Sequence, residues 1–93
     1  MSTGTVERRL VVTEEAGLHA RPAAAFAQTA AGAEARVTVA RADAGTEAEP
    51  VPARSVLSVM GLNIRRGDEI VLRATGTDAD HVLDALTKIA SPA

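Results

Sequence analysis

The sequence predicts an α+β sandwich, a four-stranded antiparallel sheet with three helices on one face. Three observations predict it. Apolar periodicity switches between two and 3.6 residues along the chain, in the order βαββαβα. The connections between periodic segments are short, and no repeat, linker or low-complexity tail interrupts them. Finally, 93 residues with a 46% hydrophobic share, nearly all of it aliphatic, fit a single thin-cored domain spanning 1–93.

The first strand is Val6-Glu7-Arg8-Arg9-Leu10-Val11-Val12, which places Val6, Leu10 and Val12 on one face. Thr13 to Leu18 is a loop containing Gly17. Pro22 suits a first helical turn, because its missing N–H and fixed φ cost nothing there. Ala23 to Ala31 is a strong helix former built around Phe26 and closed by Gly32. Ala35 to Arg41 alternates again, with Val37 and Val39 inward and Arg36 and Thr38 outward. Asp43 and Gly45 mark a turn, and Thr46 to Val51, which contains Pro50, reads as an edge strand.

Ser55 is the N-cap of a short helix over Val56 to Met60. Gly67 and Asp68 turn the chain into a strand from Glu69 to Thr75. There Ile70, Leu72 and Ala74 alternate with Glu69, Val71 and Arg73. Thr77 caps the last helix, with Asp78 and Asp80 in its first turn. Its apolar face is Val82, Leu83, Leu86, Ile89 and Ala90, and His81, Asp84 and Lys88 lie opposite. The sheet face carrying Arg9 and Arg36 stays wet.

Composition removes several functions. Ten basic against twelve acidic residues give a net charge of -2, which lacks the dense basic surface that releases counterions from DNA. A single Phe with no Tyr or Trp cannot stack successive bases, so no nucleic acid is expected as a partner. Without cysteine there is no disulfide or thiolate chemistry, and two distant histidines give no metal-site signal. No apolar run is long enough for membrane insertion, and no signal segment stands at the N-terminus, so a cytoplasmic protein is expected.

Chemistry concentrates in Gly17-Leu18-His19-Ala20-Arg21-Pro22. A histidine just before a helix is ordinarily an exposed capping residue. It also stands where unsatisfied N–H groups point outward and the dipole is positive, which favours the neutral, nucleophilic ring over imidazolium. Were the ring to gain a phosphoryl group, those N–H groups would cradle its oxygens, and Arg21 would add a charge-assisted bond. Gly17 lets the loop turn tightly and Leu18 pins it to the core. Elsewhere the ordinary reading holds: His81 on a polar helix face, Glu14 and Glu15 as solvated loop acids, Arg65-Arg66 as surface charge.

Gly17-Leu18-His19-Ala20-Arg21-Pro22-Ala23 resembles the active-site segment of the HPr family, histidine phosphocarriers of the phosphoenolpyruvate:sugar phosphotransferase system. Arg54-Ser55-Val56-Leu57-Ser58-Val59-Met60-Gly61-Leu62, followed by Gly67, resembles that family's regulatory-serine region. The resemblance runs from Thr5 to Ala90 and implies the family's HPr-like open-faced β-sandwich. It implies that His19 accepts a phosphoryl group on Nδ1 from Enzyme I and passes it to IIA proteins or domains for sugar uptake. Arg21 would neutralise phosphate charge, the backbone N–H groups of Ala20 and Arg21 would bind phosphate, and Pro22 would fix the first turn. Ser55 would be a regulatory site for an HPr serine kinase/phosphorylase. Partners would dock on Ala20, Arg21, Ala24, Val56, Leu57 and Met60.

The resemblance implies a monomeric carrier with a covalent phosphohistidine intermediate, and no cofactor. Other destinations are a nitrogen-type chain or one feeding a dihydroxyacetone kinase, and a further alternative is a regulatory protein acting through Ser55 and protein binding. Three departures stand out. The Val39–Ser55 segment is long and carries Pro50 and Pro52. Asn63 replaces a frequent glycine, at a turn whose left-handed backbone Asn tolerates. Alanines and Gln28 stand on the first helix in place of basic residues that several relatives carry.

Overall fold

The computed structural model describes residues 4–42 and 49–92. Among the described residues seven elements follow in the predicted order: β1 (Thr5–Val11), α1 (Ala20–Gly32), β2 (Arg36–Arg41), β3 (Val51–Pro52), α2 (Val56–Gly61), β4 (Glu69–Thr75) and α3 (Ala79–Ala90). The sheet is antiparallel with strand order β1-β4-β2-β3. Its inner face joins Val37, Val39, Ile70, Leu72 and Ala74 to Phe26, Val59, Leu83 and Leu86 of the helices in one apolar cluster. Phe26 is fully buried, as the anchor of α1 must be.

β4 lies between β1 and β2, and this position corrects one expectation. Val71 belongs to the outer face yet is buried, because Arg9 and Ala40 flank it in register from both neighbouring strands. Arg8 points inward with Val6 and Leu10, and its Nη1 reaches the Asp84 carboxylate on α3 at 2.6 Å. Of the strand expected from Thr46 to Val51, Glu49 and Pro50 are not strand, and β3 is Val51–Pro52. Val51 pairs with Val39 and Pro52 with Thr38, at an edge where proline's missing donor is tolerated. Residues Thr46 to Ala48 and the turn at Asp43 and Gly45 lie outside the described residues.

Two helix ends also differ. Gly32 is the last residue of α1, but no left-handed backbone closes the helix. Extended Ala33 ends it, donating its N–H to Ala30 O at 3.3 Å. α3 is capped at Asp78 rather than Thr77, and the Asp78 carboxylate does not cap its own helix. It accepts instead from Glu34 N at 2.9 Å and Ala35 N at 2.8 Å, tying the β4–α3 turn to the start of β2. Gly76 permits that approach: at φ 150°, a Cβ there would stand 2.6 Å from Ala35 Cα.

Candidate functional site

The loop from Thr13 to Leu18 hangs between two anchors. At one end, Thr13 N and Glu14 N donate to Ala90 O at 3.0 and 3.1 Å, joining the loop to the end of α3. At the other, Leu18 N donates to Ile64 O at 3.1 Å while the Leu18 side chain is buried. Gly17 is required between them. It sits at φ 66°, and a Cβ would collide with the Ile64 carbonyl and approach Arg65 Cα to 2.9 Å. Gly17 N bonds Glu14 O at 2.9 Å and closes the turn.

His19 follows as the N-cap of α1, extended at φ -123° and ψ 159°, half-buried, its ring making no capping bond. Ala20 then adopts φ 48°, a left-handed conformation that costs a non-glycine residue about 1–2 kcal/mol. Leu18 on one side and the helical bond from Ala23 N to His19 O on the other hold it there. Among the described residues nothing accepts from the N–H groups of Ala20 and Arg21, and Pro22 has no N–H to offer. The first turn of α1 contains no acid to offset the positive helix end. Arg21 is exposed and, among the described residues, forms no ion pair.

Beside this helix start lies a shallow depression. Ala20, Arg21, Pro22 and Ala25 form one wall, and Lys88 and Ile89 of α3 form another. Lys88 was legible only as part of a polar helix face. Its place here depends on where α3 ends, which no local pattern encodes.

The second predicted segment occupies α2, which packs against α1. Ser55 caps it: its Oγ accepts from Ser58 N at 3.1 Å. Val59 is buried, Val56 and Ala24 are half-buried, and Met60 and Leu57 are exposed, Leu57 to 84%. Asn63 adopts φ 55°, so the left-handed turn after α2 survives without glycine. His81, Glu15, Arg65 and Arg66 are exposed, and Glu14 accepts from Ala16 N at 3.4 Å. Among the described residues no cluster of three metal-ligating side chains occurs, and no helix is long and apolar enough to cross a membrane.

An imidazole at the N-cap of a helix whose first two N–H groups are free among the described residues is an arrangement that can receive an anion. Comparison with known proteins agrees. Residues 6–91 match the family described as PTS HPr component phosphorylation site. The chain is 45% identical over 86 residues to the phosphocarrier protein HPr of Haloferax volcanii, covering 92% of this chain and 93% of that one. It is 37% identical over 82 residues to the phosphocarrier protein NPr of Escherichia coli K12, covering 88% and 87%. The crystal structure of a phosphocarrier protein HPr from Bacillus anthracis superposes with a TM-score of 0.84 at 32% identity, covering 94% of this chain and 98% of that one. Fold and sequence together define a phosphocarrier of the phosphotransferase system. The chain belongs to the HPr family.

Proposed function

We propose that His19 is the phosphoryl acceptor, charged by Enzyme I at the expense of phosphoenolpyruvate and discharged onto IIA proteins or domains. The observation that carries this reading is the open N-terminus of α1, where His19 is the N-cap, its ring makes no capping bond, and the N–H groups of Ala20 and Arg21 are free among the described residues. The neutral ring attacks phosphorus through Nδ1, and a P–N bond forms as the bond to the donor breaks. The N–H groups and Arg21 then hold the phosphoryl oxygens, and the reverse step hands the group on unchanged. Docking uses the exposed Leu57 and Met60 with Val56, Ala24, Ala20 and Arg21, and Ser55 regulates it. The carrier works as a cytoplasmic monomer without a cofactor.

The similarity to NPr favours a second destination, a nitrogen-type chain. Labelled phosphoenolpyruvate with Enzyme I proteins of each type separates the two. We expect acid-labile, base-stable label on a histidine, with the faster donor revealing the chain. His19→Ala should take no label and keep its stability within about 0.5 kcal/mol, as for other substitutions that remove little packing. Label persisting in that variant would overturn the assignment.

A further inference from the structure

We propose that Arg41 is a positioning residue for His19: from the end of β2 it clasps the Leu62–Asp68 turn on which the loop before His19 rests. The inference builds on the proposed role of His19 and extends it to a side chain on another element.

The clasp is made by one nitrogen. Arg41 Nη1 lies 3.1 Å from Asp68 Oδ2, 3.2 Å from Asn63 O and 3.3 Å from Leu62 O. The two carbonyls follow the C-terminus of α2, where a cation answers both the unsatisfied oxygens and the negative helix end. The carboxylate belongs to the far side of the same turn. Asp68 Oδ2 also accepts from Arg65 N at 2.8 Å, so the ion pair with Arg41 draws the turn closed across its mouth. The N–H of Arg65, and after it the Arg41 guanidinium, hold the Asp68 carboxyl below its ordinary value, although burial pushes the other way. Both side chains are only 25% exposed, which spares the pair the full screening of a surface bridge.

The active loop touches this turn at both of its ends. Before the loop, Val12 N donates to Asp68 O at 2.8 Å and Gly67 N donates to Val12 O at 2.7 Å. After it, Leu18 N donates to Ile64 O, and Gly17 packs without a side chain against the same carbonyl. The backbone from Leu18 through strained Ala20 then aims the His19 ring and the free N–H groups. A loosened turn would move Ile64 O, release Leu18, and let Ala20 relax from its left-handed conformation. Arg41 thus acts on His19 through Asp68, Ile64 and Leu18, without touching the phosphoryl group.

The test uses the whole chain as Arg41→Gln, Arg41→Lys and Asp68→Asn, followed by amide hydrogen exchange, the NMR signals of the His19 ring, and transfer kinetics with Enzyme I. In Arg41→Gln, exchange at Leu18 should rise about tenfold while Leu72 in the central strand is unchanged, since only a local opening is eased. The His19 ring signals should shift, and kcat for phosphoryl acceptance should fall several-fold with KM for Enzyme I unaltered. Arg41→Lys, which keeps the charge on Asp68, should restore part of the loss, and Asp68→Asn should resemble Arg41→Gln. Wild-type exchange at Leu18 and wild-type ring signals in both Arg41→Gln and Asp68→Asn would overturn the proposal. So would a rise at Leu18 and Leu72 alike, which would make the clasp a matter of global stability. If wild type takes no label at His19, the phosphocarrier reading of His19 fails, whereas Leu18 exchange and the ring signals still decide the clasp.

Discussion

At Ser55 a single hydroxyl bears on how a helix begins. The hydroxyl satisfies the N–H of Ser58, one of the orphan donors at the start of α2. A helix of only six residues has little cooperativity to fall back on, so this bond bears directly on whether α2 persists. Ser55→Ala should therefore destabilise the protein by about 0.5–2 kcal/mol in urea unfolding, and Ser55→Asp, another good cap, should not. Ser55 was legible because a hydroxyl before an apolar run is a local signal. Asn63 was legible for the same reason, being a residue type that tolerates the left-handed region it occupies. Ala20 was not. Alanine advertises helix, and its φ of 48° comes from what Leu18 and Ala23 are bonded to. His19 is thus readable from sequence as a residue, while the backbone geometry that aims it is not.

Between elements, the informative contacts join segments distant in sequence. Asp78 shows why periodicity assigned the elements well and their ends less well. An aspartate in a first helical turn looks like dipole compensation, yet its carboxylate serves Glu34 N and Ala35 N at the α1–β2 connection. The pattern of apolar residues reports each element's own face, and it holds no record of which neighbouring turn has spare N–H groups. Arg41 escaped notice in the same way, as the last residue of a strand that was read through Val37 and Val39. The Asp78 bonds carry a pH signature. The N–H of Glu34, and then that of Ala35, hold the Asp78 carboxyl below its ordinary value of 3.8, against an opposing effect of burial. A depressed folded value means the unfolded chain binds the proton more readily. The resulting stability is complete above the unfolded value and drains away as pH falls through the folded one. Urea midpoints should therefore drop for wild type below about pH 4. Asp78→Asn should start lower at neutral pH and fall less steeply on acidification. Parallel acid limbs in the two proteins would show that these bonds are not what titrates.

At the scale of the whole molecule, the two sides of the sheet divide the work. The outer face is a lattice of exposed charges, with Arg73 Nε 2.9 Å from Glu7 Oε1 and Arg9 within 4 Å of both Glu7 and Glu69. Such pairs contribute little stability, but they keep that face hydrated and unattractive as an apolar interface. The helical side is different. Leu57 is 84% exposed and Met60 36%, on a helix packed against the one that begins at His19. With Ala24 and Gln28 on α1 and a net charge of -2, this surface offers partners apolar area more than charge. A new charge at its margin should consequently weigh on docking more than on folding. Ser55 sits at that margin, next to Val56 and Leu57. Ser55→Asp keeps an acceptor for Ser58 N and suits a helix N-terminus, so the fold should be retained. In the complex, however, the carboxylate would be pressed against the apolar surface that covers Leu57, and stripping its water is costly. Affinity for Enzyme I in calorimetric titration should fall about tenfold or more, the equivalent of about 1.4 kcal/mol, mainly through faster dissociation. Adding salt should not restore it, because the penalty is one of desolvation rather than of long-range repulsion. Equal affinity of folded Ser55→Asp and wild type would place the docking surface elsewhere and leave Ser55 as a cap alone.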